Sequence, residues 1–127
     1  MGRILYAYAL GVALLCGCGN SGSEAIRHGV GAECLRDTDC AESGQRCLTD
    51  FKGGYCGVSP CAHDTDCPQG SACVTEDNGS NYCFLICVDK PECNPNRTPA
   101  NESSCNSSLT FVDPTMGRKV CRPPRSG

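Results

Sequence analysis

The chain reads as a small disulfide-rich fold: three four-cysteine modules of short β-hairpins and irregular loops, with little helix. Three observations predict this. Twelve of the fourteen cysteines fall between residues 34 and 121 in three groups of four. Only sixteen large apolar side chains, two of them tyrosines, lie in the same stretch, too few for a conventional core. An apolar leader ahead of the cysteines directs the chain to an oxidising compartment, where thiols pair with one another rather than hold zinc.

The leader comes first. Arg3 supplies a positive start, and residues 4–15 (ILYAYALGVALL) are uniformly apolar. A helix needs about 20 apolar residues to span a bilayer, so this length fits a cleaved signal peptide. The exit, Leu15-Cys16-Gly17-Cys18, resembles the bacterial lipobox, in which an aliphatic residue and two small ones precede the acylated cysteine. Acylation at Cys16 would place Leu15 directly before the lipid and fits the pattern badly, so residues 1–17 are expected to be removed and Cys18 to carry the lipid. A single fatty chain, at about 0.8 kcal/mol per buried CH₂, binds marginally. The diacylglyceryl and amide-linked palmitate-type chains implied by the resemblance would anchor the protein durably in a bacterial membrane. Gly19, in place of Asp, favours the outer membrane by the sorting behaviour of Gram-negative lipoproteins. Residues 19–33 are rich in Gly and Ser and complete an 18–33 segment of lipidated Cys18 and flexible tether, with a reach of roughly 20 Å.

The cysteine framework follows. Cys34, Cys40, Cys47 and Cys56 form a first unit (34–60), and Cys61, Cys67, Cys73 and Cys83 a second (61–86). Their openings match closely, Cys34-Leu35-Arg36-Asp37-Thr38-Asp39-Cys40 against Cys61-Ala62-His63-Asp64-Thr65-Asp66-Cys67. Cys87, Cys93, Cys105 and Cys121 open a divergent third unit (87–121) with the same five-residue gap, then wider ones. The twelve cysteines make an even set of six bridges. Pairing confined within units leaves about 27 connectivities. The spacing does not select among them, and first-to-third with second-to-fourth in each unit is the working expectation. A bridge closing a loop near 15 residues contributes about 3 kcal/mol in the entropic account, so six substitute for most of a missing core. Zinc is the alternative for the same residues, but structural zinc usually uses Cys-x₂-Cys knuckles, and none occurs after residue 33. No metal or cofactor is expected.

Secondary structure should be sparse. Gly53-Gly54, Pro68-Gln69-Gly70 and Asn78-Gly79 mark turns, residues 45–48 and 54–56 suit a short hairpin, and no helix should exceed two turns. Residues 94–106 (NPNRTPANESSCN) read as a mobile polar loop.

Charge limits the partners. Without Arg3, ten basic residues face fourteen acidic ones, a net charge of −4, which argues against nucleic acid. Arg118, Lys119, Arg122 and Arg125 make the C-terminal end basic; 122–127 reads as a solvated tail or a weak contact to anionic head groups.

Candidate chemistry is thin. His63 beside Asp64 suggests a base with an orienting carboxylate, yet Arg36 holds the equivalent place in the first unit, so a variable framework position is the better reading. No serine lies in a nucleophile-elbow context. Asp37 with Asp39, and Asp64 with Asp66, are candidate calcium ligands, but carboxylates that accept backbone N–H groups and fix the turn explain them more simply. In the third unit Glu92 holds the matching place. Phe84-Leu85-Ile86, the most apolar run after the leader, is expected to pack one unit on the next, with a protein-binding patch as the alternative. The sequons at Asn78, Asn96, Asn101 and Asn106 matter only in a eukaryotic secretory route.

The repeated opening, Cys and five residues ending in Asp-Thr-Asp before the next Cys, then a Gly-containing stretch to a third and fourth, resembles the Dickkopf N-terminal type of cysteine-rich repeat. Similar repeats occur in bacterial lipoproteins. The resemblance covers 34–83 and extends weakly over 87–121. It implies a secreted, disulfide-framed module, and in animals such domains are receptor ligands. No contact residue of theirs maps onto this chain. The function expected is therefore a non-enzymatic, lipid-anchored binding or structural module of the bacterial envelope, whose partner is a protein or envelope polymer. The alternative is a secreted disulfide-rich peptidase inhibitor presenting residues 49–55.

Overall fold

A computed structural model describes residues 29–114 and 117–127. The leader, Cys18 and tether residues 19–28 lie outside the described residues, as do Thr115 and Met116.

Each unit begins in the same way. The chain leaves its first cysteine, makes a short 3-10 turn, and is stapled there by a carboxylate. Asp39 Oδ2 accepts the N–H groups of Leu35 and Arg36 at 2.9 and 3.1 Å over the turn Asp37–Asp39. Asp66 Oδ2 accepts those of Ala62 and His63 at 2.8 and 3.0 Å over Asp64–Asp66. In the third unit Glu92 Oε1 accepts those of Val88 and Asp89 at 3.1 and 3.0 Å over Lys90–Cys93. These side chains satisfy donors that the short helical turn leaves open. Each of the first two turns also reaches forward: Asp37 Oδ1 accepts the Cys47 N–H at 2.8 Å, and Asp64 Oδ1 the Cys73 N–H at 2.9 Å. Lys90 holds that place in the third unit, where Asn94 bridges instead, accepting from Ser103 N–H at 2.7 Å and donating to the Lys90 and Ser103 carbonyls.

The strands follow each turn. In the first unit β1 (Arg46–Cys47) pairs antiparallel with β2 (Cys56–Gly57), as the hairpin reading anticipates. In the second, β3 (Ser71–Thr75) pairs with β4 (Asn81–Cys87) around the Asn78-Gly79 turn. The third supplies β5 (Ser104–Asn106), β6 (Thr110–Phe111) and β7 (Lys119–Arg122). The larger sheet runs β5-β7-β4-β3-β6, and β4 is its pivot: Asn81 to Leu85 pair with β3, while Ile86 and Cys87 pair with β7. From Asn106 to Thr110 the chain spans at most about 14 Å, less than the roughly 19 Å of four strand spacings, so the sheet is folded about β4 rather than flat. Among the described residues the helical elements are 3-10 turns of three or four residues.

All six bridges lie within units, and all follow the first-to-third, second-to-fourth order. They are Cys34–Cys47 and Cys40–Cys56, Cys61–Cys73 and Cys67–Cys83, and Cys87–Cys105 and Cys93–Cys121. Their Cα separations, 5.8, 6.0 and 6.0 Å for the first bridge and 5.4 Å throughout for the second, repeat from unit to unit.

Although the bridges are modular, the core is not. One buried cluster joins Val30, Leu48, Phe51 and Tyr55 to Ala72, Val74, Tyr82, Phe84 and Leu85, and to Leu109 and Val120. Phe51 is its hub, packing edge-on against Tyr55, Tyr82 and Phe84 with centroids 6.0, 5.0 and 5.5 Å away. The Tyr55 hydroxyl accepts the Leu85 N–H at 3.2 Å, and Tyr82 donates to Asp50 at 3.0 Å.

Three expectations need correction. The tether ends earlier than residue 33: Val30 is buried, Gly31 N–H donates to the Cys56 carbonyl, and Cys56 N–H donates to that of Ala32. Residues 94–106 are pinned rather than free, because Arg97 and Ser103 are buried and the segment carries the turn Pro99–Asn101 and strand β5. The basic tail is docked: Lys52 N–H donates to the Pro124 carbonyl, Ser126 N–H to that of Asp50, and Arg125 stacks 5.8 Å above the Phe51 ring.

Candidate functional site

The first and third units, with the segment that precedes Cys34, meet at a buried cation. Arg97 leaves the third unit and donates to four carbonyls: Gly31 at 3.0 Å and Gly54 at 2.8 Å from Nη1, Lys52 at 2.7 Å from Nη2, and Asn101 at 2.7 Å from Nε. Its guanidinium also lies 5.9 Å from the Tyr55 ring centroid. Burial lowers its basicity, against which the charge of Glu33 and then that of Tyr55 act. Glu33 belongs to the same knot. It accepts from the Thr98 N–H and hydroxyl and from Asn101. Partial burial raises its carboxyl, but these hydrogen bonds and the charge of Arg97 outweigh that and hold it below the usual range. Tyr55 beneath is pushed up to about 12 by burial.

A second knot ties the tail to the hairpin β3–β4. Arg122 meets Glu76 at two points, Nε to Oε1 at 3.0 Å and Nη2 to Oε2 at 2.7 Å, and also contacts Asp77 at 3.0 Å. The Glu76 side chain is fully buried. Its hydrogen bonds and charge raise Arg122 further.

A third surrounds His63. Its partner is Asp113 from the third unit, not neighbouring Asp64: Nδ1 lies 3.1 Å from Asp113 Oδ1, and the Asp64 N–H donates to the other carboxylate oxygen at 2.7 Å. Arg118 completes the group by bonding Asp64 at 2.8 Å and the Asp113 carbonyl at 3.1 Å. The hydrogen bond and charge of Asp113 raise the His63 imidazole, assisted by Asp66 and Asp64. Asp113 is lowered by the Asp64 N–H first and by His63 next. An exposed imidazole tied in this way fixes the loop after β6 to the turn Asp64–Asp66. It keeps its proton to higher pH than a free histidine, so less of the neutral imidazole is present near neutrality to accept one.

The acidic pairs take the structural reading. Asp37, Asp39, Asp64 and Asp66 each accept backbone N–H groups through one carboxylate oxygen, which fixes the turns. The sulfurs of Cys34, Cys40 and Cys56 lie within 4.8 Å of one another, as do those of Cys61, Cys67 and Cys83 and those of Cys87, Cys93 and Cys121. Each trio arises where one bridge lies against the next, with every sulfur in a disulfide rather than present as a thiolate.

One candidate contact surface is overturned. Phe84 and Leu85 are buried at the centre of the core and Ile86 packs half-buried against it, so this run holds the units together and presents no patch. Within residues 49–55, Phe51, Gly54 and Tyr55 are buried, and the exposed Lys52 has both backbone groups committed, its N–H to Pro124 and its carbonyl to Arg97.

Arg97, Arg122 with Glu76, and Asp113 escape a reading of the sequence. Arg97 sits in a stretch with the composition of a loop, and Glu76 lies 46 residues from Arg122. Only Asp113-Pro114 carries a local signal, since Asp-Pro favours a turn.

An open cleft of about 450 Å³ lies between the first two units, lined by Glu42, Gly44, Val58, Asp66, Pro68 and Gln69 among others. No protein-family model, curated protein or solved structure matches the chain.

Proposed function

We propose that this chain is a non-enzymatic module of the bacterial envelope, anchored by lipid on Cys18 to the outer membrane and binding a protein or envelope polymer through its stapled body. The observation that carries the reading is a lipobox-like exit followed by twelve cysteines in six bridges. Such density of disulfides persists in oxidising compartments, where small domains use it in place of a large core. The likeness of the first two units to Dickkopf-type repeats points the same way, toward secreted recognition modules. The recess between those units, with Val58 in its wall and acidic Glu42 and Asp66 at its edge, is the surface assigned to a basic group of the partner.

The test is intact-mass spectrometry of the protein from membranes of a bacterial host, before and after reduction. The expected species begins at residue 18, carries the acyl chains, and gains twelve hydrogens on reduction. An unacylated product, or one whose thiols are free, would sink the reading. Pull-downs from envelope extracts then address the partner: capture by the wild type, weakened by Glu42→Lys, is the supporting result.

A further inference from the structure

In each unit the third and fourth cysteines stand opposite each other on an antiparallel ladder, yet they are not bonded to each other. Cys47 faces Cys56, Cys73 faces Cys83, and Cys105 faces Cys121. In the first unit the Leu48 N–H bonds to the Tyr55 carbonyl one step along, so Cys47 and Cys56 occupy a non-hydrogen-bonded position. At such positions Cα atoms approach to about 4.5 Å, within the roughly 4.4–6.8 Å that a disulfide spans. The first and second cysteines are close as well, since the sulfurs of Cys34, Cys40 and Cys56 lie within 4.8 Å of one another. The ladder thus sets Cys47 opposite Cys56, and the sulfur cluster sets Cys34 beside Cys40, so the second pairing needs a rotation of the Cys47 side chain.

We propose that the first unit is a thiol-triggered disulfide switch that exchanges Cys34–Cys47 and Cys40–Cys56 for Cys34–Cys40 and Cys47–Cys56. Access selects this unit. Cys47 is half-buried on a two-residue strand outside the larger sheet, whereas Cys73 and Cys83 are wholly buried in the second unit, and Cys105 and Cys121 are held within the β5–β7 ladder. The trigger is a low-molecular-weight monothiol. Its thiolate attacks Cys47 Sγ, forming a mixed disulfide there and releasing Cys34 as a thiolate. Cys34 then attacks Cys40 Sγ in the adjacent bridge, forming Cys34–Cys40 and releasing Cys56 as a thiolate. Cys56 in turn attacks Cys47 Sγ across the ladder, forming Cys47–Cys56 and expelling the thiol. Two disulfides are present before and after, the thiol is regenerated, and no net oxidation or reduction occurs. The switch is independent of the lipid and of any partner.

The sequence makes the test clean. Arg36, Arg46 and Lys52 separate Cys34, Cys40, Cys47 and Cys56, so trypsin places each on a different peptide. Oxidised protein carrying residues 18–127 is incubated with reduced glutathione at mildly alkaline pH, quenched in acid, blocked with N-ethylmaleimide, digested without reduction and mapped by mass spectrometry. The expected result is that the Cys34 peptide changes partner from 47–52 to 37–46, rising at least about ten-fold over a thiol-free control, with glutathione trapped on Cys47. The second-unit bridges stay intact under the same conditions. A Cys34 peptide that stays with 47–52, is released only when all four thiols are free, or becomes linked to another unit would overturn the proposal.

Discussion

Arg97 Nη1 lies 2.8 Å from the carbonyl oxygen of Gly54, joining the third unit to the turn that closes the first. The same guanidinium satisfies Gly31, Lys52 and Asn101, so its removal would strand several acceptors in a dry site. Arg97→Met is expected to cost about 3 kcal/mol, as charged hydrogen bonds to buried groups do. Arg97→Lys should restore less than half of the loss, because an ammonium lacks the planar fork. Urea unfolding with the disulfides intact measures both; equal stability of wild type and Arg97→Met would contradict this role.

Gly54 has φ +72°, and a Cβ there would fall 2.1 Å from the Cys34 carbonyl oxygen and within 2.9 Å of the Cys34 and Cys47 sulfurs. Backbone and a bridge cannot both yield, so Gly54→Ala should block formation of Cys34–Cys47. Gly44, at φ +89°, has nothing within 4 Å of its Cβ position. Gly44→Ala should fold with the native bridges at a cost of about 1 kcal/mol of backbone strain. Peptide mapping after oxidative refolding distinguishes the two.

Breaking the Arg122–Glu76 pair by Glu76→Gln should destabilise the fold by about 3 kcal/mol, since it leaves a cation with half its partners at a buried site. Asp77→Asn, acting on an exposed partner, should have a much smaller effect. Thermal unfolding followed by near-ultraviolet circular dichroism reads both.

The turn carboxylates give an acid limb. Asp39 is held low by the N–H groups of Leu35 and Arg36, and Asp66 by those of Ala62 and His63. A folded-state pKa below the unfolded one contributes stability above the unfolded value, near 3.9, and loses it as pH falls through the folded value. The urea midpoint should therefore drop below about pH 4, and the double variant Asp39→Asn, Asp66→Asn should flatten that limb.

His63 works in the opposite direction. Asp113 raises it above the ordinary value of 6.5, so its contribution is fully present below the unfolded pKa and fades as pH rises through the folded one. Nuclear magnetic resonance titration should place the His63 imidazole above 6.5 and show it lowered toward that value in Asp113→Asn. An unchanged titration in the variant would dissociate the pair.

Much of the local structure is legible in the sequence because its determinants are local. The Asp-Thr-Asp openings announce a side chain that caps its own turn, Gly53-Gly54 and Asn78-Gly79 announce reversals, and the even cysteine set announces six bridges without their pairing. What joins the units escapes the same reading because it acts at long range. Asp113 reaches His63 across 50 positions, and Arg97 reaches Gly31 across 66. Composition misleads for the same reason: residues 94–106 carry almost no apolar surface, and their order comes from filling acceptors on other units. The apolar run 84–86 is placed correctly at a junction, but that junction is the centre of the molecule.

The division of β4 between two partners, five residues to β3 and two to β7, sets the arrangement apart from a stacked repeat. In a solenoid another repeat can be appended because each unit offers its successor a free face. Here the last strand folds back onto the second unit, and the C-terminal residues fill the flank of the first. The three units are thus held by a shared strand instead of being stacked in a row, so a substitution in one of them is felt by the other two.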